Sequence, residues 1–199
     1  MTIKLYSWPR SSGTRVAWAL EELGLPYEYV ALDAKKQEHR APEYLAVNPH
    51  GKVPALVHDG ELVFESSAIA LYLTDMFPEA KLGPLAGEPK RGEYLSWLFY
   101  RAGVMEPAFL ERRFGIKHVY GAMGWAPPEE VEEVLNAALS RNKYLLGDSF
   151  TAADIMAGGG VYYMLKFKMM TETPVLKAYA ERITDRPAFR KMMERDAKK

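Results

Sequence analysis

Three short segments hold the side chains whose type and spacing suit chemistry. Ser7 through Arg15, SWPRSSGTR, joins a strand-like run to a helical one and presents the Ser11 and Ser12 hydroxyls beside a helix N-terminus, where an anion is favoured. With no His or Lys partner beside them, a hydrogen bond donated to a ligand anion fits these serines better than nucleophilic attack. Glu65-Ser66 opens a later helix. Serine there reads as an N-cap, yet the same place offers free N–H groups to a carboxylate, with the Ser66 hydroxyl as an extra donor and Glu65 facing a neighbouring ammonium. That pair suits a free amino-acid end. Asn48-Pro49-His50-Gly51-Lys52-Val53-Pro54 is the third segment. Pro54 is either the first residue of a strand, where a missing N–H costs nothing, or the second partner of a cis Val53-Pro54 bond that turns the Val53 backbone toward an extended peptide ligand.

The elements that must position these residues follow from periodicity. Ile3, Leu5 and Tyr6 read as a buried strand, Thr14 to Leu23 as a helix ended by Gly24 and Pro26, and Tyr27 to Leu32 as a second strand. A weak helix near Glu43 to Val47 precedes a hairpin, Val53 to Val57 and Leu62 to Phe64 around Asp59-Gly60, and Ser66 to Met76 is helical. This βαβ–ββα order predicts a mixed sheet with helices on its faces over residues 1–80. Residues 81–87 read as a linker. Over 88–199 the strand signals vanish and helices are expected at Pro89 to Phe114, Pro128 to Tyr144, Thr151 to Phe167, Pro174 to Thr184 and from Pro187 onward. The fold class is therefore α/β followed by an all-α helical bundle.

Composition narrows the chemistry. The 199 residues contain no cysteine, which excludes disulfides, thiolate zinc sites, a Cys nucleophile and a dithiol redox pair. Lys plus Arg equal Asp plus Glu at 26 each, so no basic surface points to nucleic acid or an anionic membrane. The first 80 residues hold 7 basic and 11 acidic side chains against 19 and 15 in the remainder, a shift in sign that supports two domains. No run has the length of a membrane span and the start lacks a signal-peptide core, so a cytoplasmic protein is expected. The four histidines show no metal-binding spacing, and no metal is expected.

Other motifs carry plainer readings. Thr151 through Asp154 resembles a capping box with Asp in the Glu place, and Phe150 faces Ile155 as a hydrophobic staple. Gly158-Gly159-Gly160 lacks the context of a phosphate loop and suggests close helix packing. Trp97, Arg101, Val104, Ala108 and Arg112, with Tyr100 beside them, share a helical face that reads first as core.

Taken together and in order, these motifs resemble the cytosolic glutathione transferases. Leu5-Tyr6-Ser7, Arg10-Ser11-Ser12 and Arg15-Val16 look like the zeta-class start, whereas His39, Lys52, Val53, Pro54, Glu65 and Ser66 match a theta-type pattern of glutathione contacts. The Phe150-to-Ile155 box and Arg186-Pro187-Ala188-Phe189 also fit. The resemblance implies a thioredoxin-like N-terminal domain with a four-stranded mixed sheet, a helical C-terminal domain and a homodimer. It makes glutathione the cosubstrate: Ser11, or else Ser12, would hold the thiolate, Val53 the cysteinyl backbone beside Pro54, Glu65 and Ser66 the γ-glutamyl end, and His39 and Lys52 the glycyl carboxylate. Trp8, Tyr100, Val104 and Ala108 become candidates for the pocket of a small hydrophobic electrophile. Two departures matter. Gly13 follows the serines where the zeta isomerases have cysteine, which weakens a maleylacetoacetate-isomerase reading, and the absence of cysteine removes thiol-disulfide exchange. Tyr6 is read as structural. Conjugation by a serine-type transferase is the leading expectation; isomerisation, dehalogenation and ether cleavage would use the same site, and a glutathione-binding assembly module is the competing class.

Overall fold

Strands β1 (Ile3–Ser7), β2 (Glu28–Ala31), β3 (Ala55–His58) and β4 (Glu61–Phe64) form one sheet in the order β2-β1-β3-β4 in the computed structural model, which describes residues 1–197. β1 runs parallel to β2, with Leu5 opposite Tyr29, and antiparallel to β3, with Leu5 opposite Leu56. β3 and β4 are the expected hairpin, with Ala55 opposite Phe64. Helices α1 (Gly13–Leu23) and α3 (Ser66–Met76) pack on each other, and Val16, Leu20, Ile69 and Leu73 are buried between them and the sheet. Gly24, at φ 65, ends α1 in the left-handed region. The thioredoxin-like expectation is met. β3 starts two residues later than the hydrophobic run suggests, because Pro54 has no N–H for the ladder. The short helix α2 (Pro42–Leu45) starts one residue early, with Pro42 supplying its first turn.

Residues Lys81–Asp185 form a second, helical unit. It contains α4 (Arg91–Tyr100), α5 (Glu106–Phe114), α6 (Pro128–Arg141), α7 (Gly159–Lys166) and α8 (Pro174–Thr184). The single helix expected from Pro89 to Phe114 is interrupted by a π turn at Arg101–Met105, in which the Glu106 N–H reaches the Arg101 carbonyl. Pro107 is the cause: it cannot donate to the carbonyl four residues back and its ring crowds that turn. A second π turn, Asp154–Gly158, precedes α7. There the glycines do bring helices close, since a Cβ on Gly158 would overlap the Tyr179 hydroxyl.

Asp154 is fully buried and uses both carboxylate oxygens. Oδ2 accepts from the Thr151 N–H at 2.9 Å and the Thr151 hydroxyl at 3.1 Å, while Oδ1 accepts from the Leu145 N–H at 3.0 Å and the Tyr179 hydroxyl at 2.8 Å. The cap expected at Thr151 is therefore also a tie between three segments. Burial raises the Asp154 carboxyl above its ordinary value, and these donors oppose the rise.

The last helix, α9 (Pro187–Ala197), departs from the expected division at residue 88. Residues 186–197 belong with residues 1–80, and α9 packs along α1. Phe189 meets Trp18 edge to face at a centroid distance of 4.9 Å, and Arg186 makes a two-pronged ion pair with Glu22 at 2.6 and 2.7 Å. Lys191 and Arg195 hold Glu21 at 2.6 and 2.7 Å. A helical period identifies the face that must be covered and not the element that covers it, so α9 and its partner were not joined by sequence spacing.

Candidate functional site

The sheet register gathers the three chemical segments at one end. Tyr6 pairs with Ala55 and Ala55 with Phe64, so the end of β1, the start of β3 and the end of β4 lie side by side. The serine turn, Val53-Pro54 and Glu65-Ser66 are the residues that continue from those three points.

Ser11 and Ser12 have different partners. Ser11 Oγ donates to the Trp8 carbonyl at 2.7 Å, accepts from the Gly13 N–H at 3.1 Å and lies 3.0 Å from Ser7 Oγ. Ser12 Oγ donates to the Val53 carbonyl at 2.8 Å, which stitches the serine turn to the segment before β3. Neither the Ser11 nor the Ser12 side chain is a full cap: α1 begins with one N–H held by Ser11 and with Ser12 turned away toward Val53. Ser7 is fully buried at the end of β1, and a Cβ on Gly13 would overlap its side chain. Glycine after the two serines thus leaves the room that the Ser7 hydroxyl occupies.

The Val53-Pro54 bond is cis, the second of the two readings of that proline. The loop before it is held from inside. Lys52 O accepts from the Tyr44 hydroxyl at 2.5 Å and from Asn48 Nδ2 at 2.9 Å, and Asn48 Oδ1 accepts from the His50 N–H at 3.1 Å. Burial pushes the Tyr44 hydroxyl up to about 12, so it remains a donor at neutral pH. The Lys52 side chain itself is exposed. His39 stands against the Trp8 ring at a centroid distance of 5.3 Å, and its Nδ1 is buried without a hydrogen-bond partner.

Glu65 rather than Ser66 is the residue before α3, and its backbone is left-handed at φ 69. Ser66 is the first residue of the helix, and no side chain caps its N-terminus. The N-cap reading of Ser66 is corrected accordingly: Ser66 lies inside the helix with its side chain buried, and the leading N–H groups of α3 are left to other acceptors. Glu65 is exposed.

The pocket candidates divide. Trp8 is half-buried in the first unit. In the helical unit Tyr100 and Val104 are half-buried, Tyr100 with its ring 5.0 Å from Trp97 and its hydroxyl raised above its ordinary value by burial. Ala108 is fully buried and offers no surface to a ligand. The π turn between Tyr100 and Ala108 changes the helical period, so the face expected from a single helix is not continuous. Tyr6, whose ring is 5.7 Å from Tyr44, is half-buried at the end of the sheet.

Sequence reasoning missed Ser7, Tyr44 and Asn48, the side chains that support the serine turn and the cis-proline loop. Asn48 alone gave a signal, as the start of a turn whose side chain can bond two residues onward. Among the described residues no three His, Asp or Glu side chains are gathered to hold a metal ion, and no helix is long and apolar enough to cross a membrane.

Known proteins are similar to this chain in sequence and fold. Residues 1–75 match the family described as glutathione S-transferase, N-terminal domain, and residues 128–187 the family described as glutathione S-transferase, C-terminal domain. Glutathione S-transferase PARB of Nicotiana tabacum is 32% identical over 98% of this chain and 99% of its own. Glutathione S-transferase 3 of Zea mays is 34% identical over 95% and 92%. The solved structure of the glutathione transferase URE2P6 from Phanerochaete chrysosporium, in complex with oxidized glutathione, superposes with a TM-score of 0.78 at 32% identity, covering 99% of this chain and 97% of that one. Matches to both domains and relatives at this identity over nearly the full length lead to one conclusion: the chain belongs to the glutathione S-transferase family.

Proposed function

We propose that the protein is a serine-type transferase that joins the glutathione thiolate to a small hydrophobic electrophile. The observation that carries this reading is the convergence of the Ser11–Ser12 turn, Val53 beside a cis proline and the uncapped start of α3 at one end of the sheet. A relative whose structure holds oxidized glutathione supports the ligand. In this reading the Ser11 hydroxyl donates a hydrogen bond to the thiolate, Val53 pairs through its main chain with the cysteinyl backbone, and Glu65 with Ser66 holds the γ-glutamyl ammonium and carboxylate. His39 and Lys52 take the glycyl carboxylate. Trp8, Tyr100 and Val104 remain the pocket candidates, and the protein is a cytoplasmic homodimer.

The chemistry asks little of the protein beyond this. Lowering a thiol pKa by about two units requires about 2.7 kcal/mol of preferential thiolate stabilisation. A hydrogen bond to a charged group contributes roughly 1.5–3 kcal/mol and a helix N-terminus about 0.3–1 more. Ser11 at the start of α1 has both. Its proton, now given to the Trp8 carbonyl, must turn to the sulfur, while its oxygen stays within reach of Ser7 Oγ and the Gly13 N–H. The thiolate, its proton released to solvent, then attacks the electrophilic carbon, either displacing a leaving group as its anion or adding to an activated double bond whose electron pair is then protonated. The protein adds proximity and anion stabilisation.

The test is a titration with glutathione that follows thiolate ultraviolet absorbance against pH, with Ser11→Ala alongside. A bound thiol that ionises well below its free value, an effect lost in the variant, supports transfer. Binding with an unshifted thiol supports a non-catalytic glutathione-binding module, and no binding refutes the site.

A further inference from the structure

The serine turn is held from the far end of the chain. Arg10, directly before Ser11, has a left-handed backbone at φ 63, a conformation that a residue with a side chain keeps only when its surroundings fix it. Its N–H donates to Asp196 Oδ2 at 3.1 Å. The Thr14 hydroxyl, directly after Gly13, donates to the same oxygen at 3.0 Å. The two bonds bracket Ser11, Ser12 and Gly13, so one carboxylate grips both ends of the segment that carries the hydroxyls.

Asp196 stands in the last turn of α9, where the helix dipole disfavours a negative charge. Its own helix therefore gives no reason for an acid at this position. The start of α1 does, because the N–H groups and dipole of a helix N-terminus favour an anion there. α9 is in turn fixed to α1 by the Arg186–Glu22, Lys191–Glu21 and Arg195–Glu21 pairs, and the Arg195 guanidinium lies 4.5 Å from the centre of the Tyr27 ring. The carboxylate thus reaches the turn from a helix held at several points.

We infer that Asp196 is a positioning residue for thiol activation: by holding the Arg10 N–H and the Thr14 hydroxyl, it sets the pose from which the Ser11 hydroxyl serves the thiolate. The inference rests on the transferase reading. No bond is made or broken at Asp196.

The experiment compares the full chain with Asp196→Ala, Asp196→Asn, Thr14→Val and Phe189→Leu. Each protein is measured for thermal midpoint, for the pKa of bound glutathione thiol and for kcat and KM with glutathione and an aryl halide. Asp196→Ala is expected to lower kcat about tenfold, since a small displacement of a reacting group is costly, with KM for glutathione changed by less than about threefold. The bound thiol pKa should rise in parallel. Asp196→Asn, whose amide oxygen still accepts from both donors, should recover most of the loss. Thr14→Val, which removes one donor at constant shape, should shift the thiol pKa in the same direction by less, and it decides the matter if Asp196→Ala does not fold. Phe189→Leu loosens α9 elsewhere, and is expected to lower the midpoint while leaving the thiol pKa in place.

A wild-type thiol pKa in both Asp196→Ala and Thr14→Val overturns the inference while leaving the transferase reading intact. So does a shift in Phe189→Leu as large as that in Asp196→Ala, since packing alone would then account for it. If wild-type protein binds glutathione without lowering its thiol pKa, or does not bind it, the transferase reading fails and the inference falls with it.

Discussion

The Ser12 hydroxyl donates to the Val53 carbonyl across 41 residues of sequence, at 2.8 Å, while its neighbour Ser11 bonds only within its own turn and to Ser7. Adjacent and identical in type, the two serines do different work: Ser12 joins two loops, and Ser11 keeps a hydroxyl that can be redirected without parting them.

Separate substitutions should expose that division. Ser11→Ala is expected to lower the glutathione-dependent rate at least about tenfold with little change in glutathione affinity, as befits one lost hydrogen bond to a charged sulfur. Ser12→Ala leaves the Val53 carbonyl without that donor and should cost about 1–2 kcal/mol in urea unfolding. Equal rates for wild type and Ser11→Ala would move the thiolate to Ser12 or Tyr6.

Gly13 should tolerate no side chain while Ser7 is present. Gly13→Ala is expected to destabilise by about 1–3 kcal/mol, the usual cost of forcing an extra carbon into a packed site. Because the overlap is with the Ser7 side chain, Ser7→Gly in the same chain should return part of that loss. A double-mutant cycle by thermal unfolding reads the coupling, and strict additivity would refute the contact.

Gly158→Ala and Tyr179→Phe should interfere with each other in a similar way. A Cβ at position 158 would push the Tyr179 hydroxyl from its bond to Asp154, and Tyr179→Phe removes that bond outright. Each single change is expected to cost about 2–4 kcal/mol, combining overpacking or the loss of a buried bond to a carboxylate. The double variant should be less damaging than the two costs together, measured by denaturant midpoint.

Acid should loosen the helical unit at Arg112. This residue pairs with Glu129 at 3.0 Å and Glu132 at 2.5 Å. Glu129 lies below its ordinary value through a backbone N–H and then Arg112; for Glu132 burial acts upward, but the bonds from Arg112 and Thr171 outweigh it. Both folded-state values are thus depressed. Their contribution to stability is present above the unfolded carboxylate value of 4.5 and is lost as pH falls through the lower folded values. Arg112→Met should flatten this acid limb of the stability profile, and an unchanged slope in a pH series of unfolding curves would count against the pairing.

Much of the fold was legible because local rules and tertiary structure agree. Ser66 to Met76 and Pro174 to Thr184 coincide with their expected bounds, since proline and apolar period point the same way. The π turns were not legible: Pro107, the cause of the one at Arg101–Met105, was present in the sequence, but a helical period cannot show where one extra residue is taken up. The candidate site divides along the same line. Side chains that would face a ligand stand in recognisable motifs, whereas Ser7 and Tyr44 act through the folded-back loops next to them, on Ser11 and on the Lys52 carbonyl, and Asp196 acts on a turn that only α9 brings near. Ala108 fails as a pocket residue because spacing alone does not distinguish a buried face from one that lines a cavity.

The return of α9 to α1 also orders events in time. The sheet unit is interrupted by residues Lys81–Asp185, so a ribosome must make the whole helical unit before the helix that covers Trp18 and grips the serine turn exists. Chains fold from the N-terminus as they emerge, at about 5–20 residues per second. For the seconds needed to translate the intervening segment, the nascent sheet unit keeps α1 without its partner, and the serine turn takes its final form only after synthesis of the helical unit is complete.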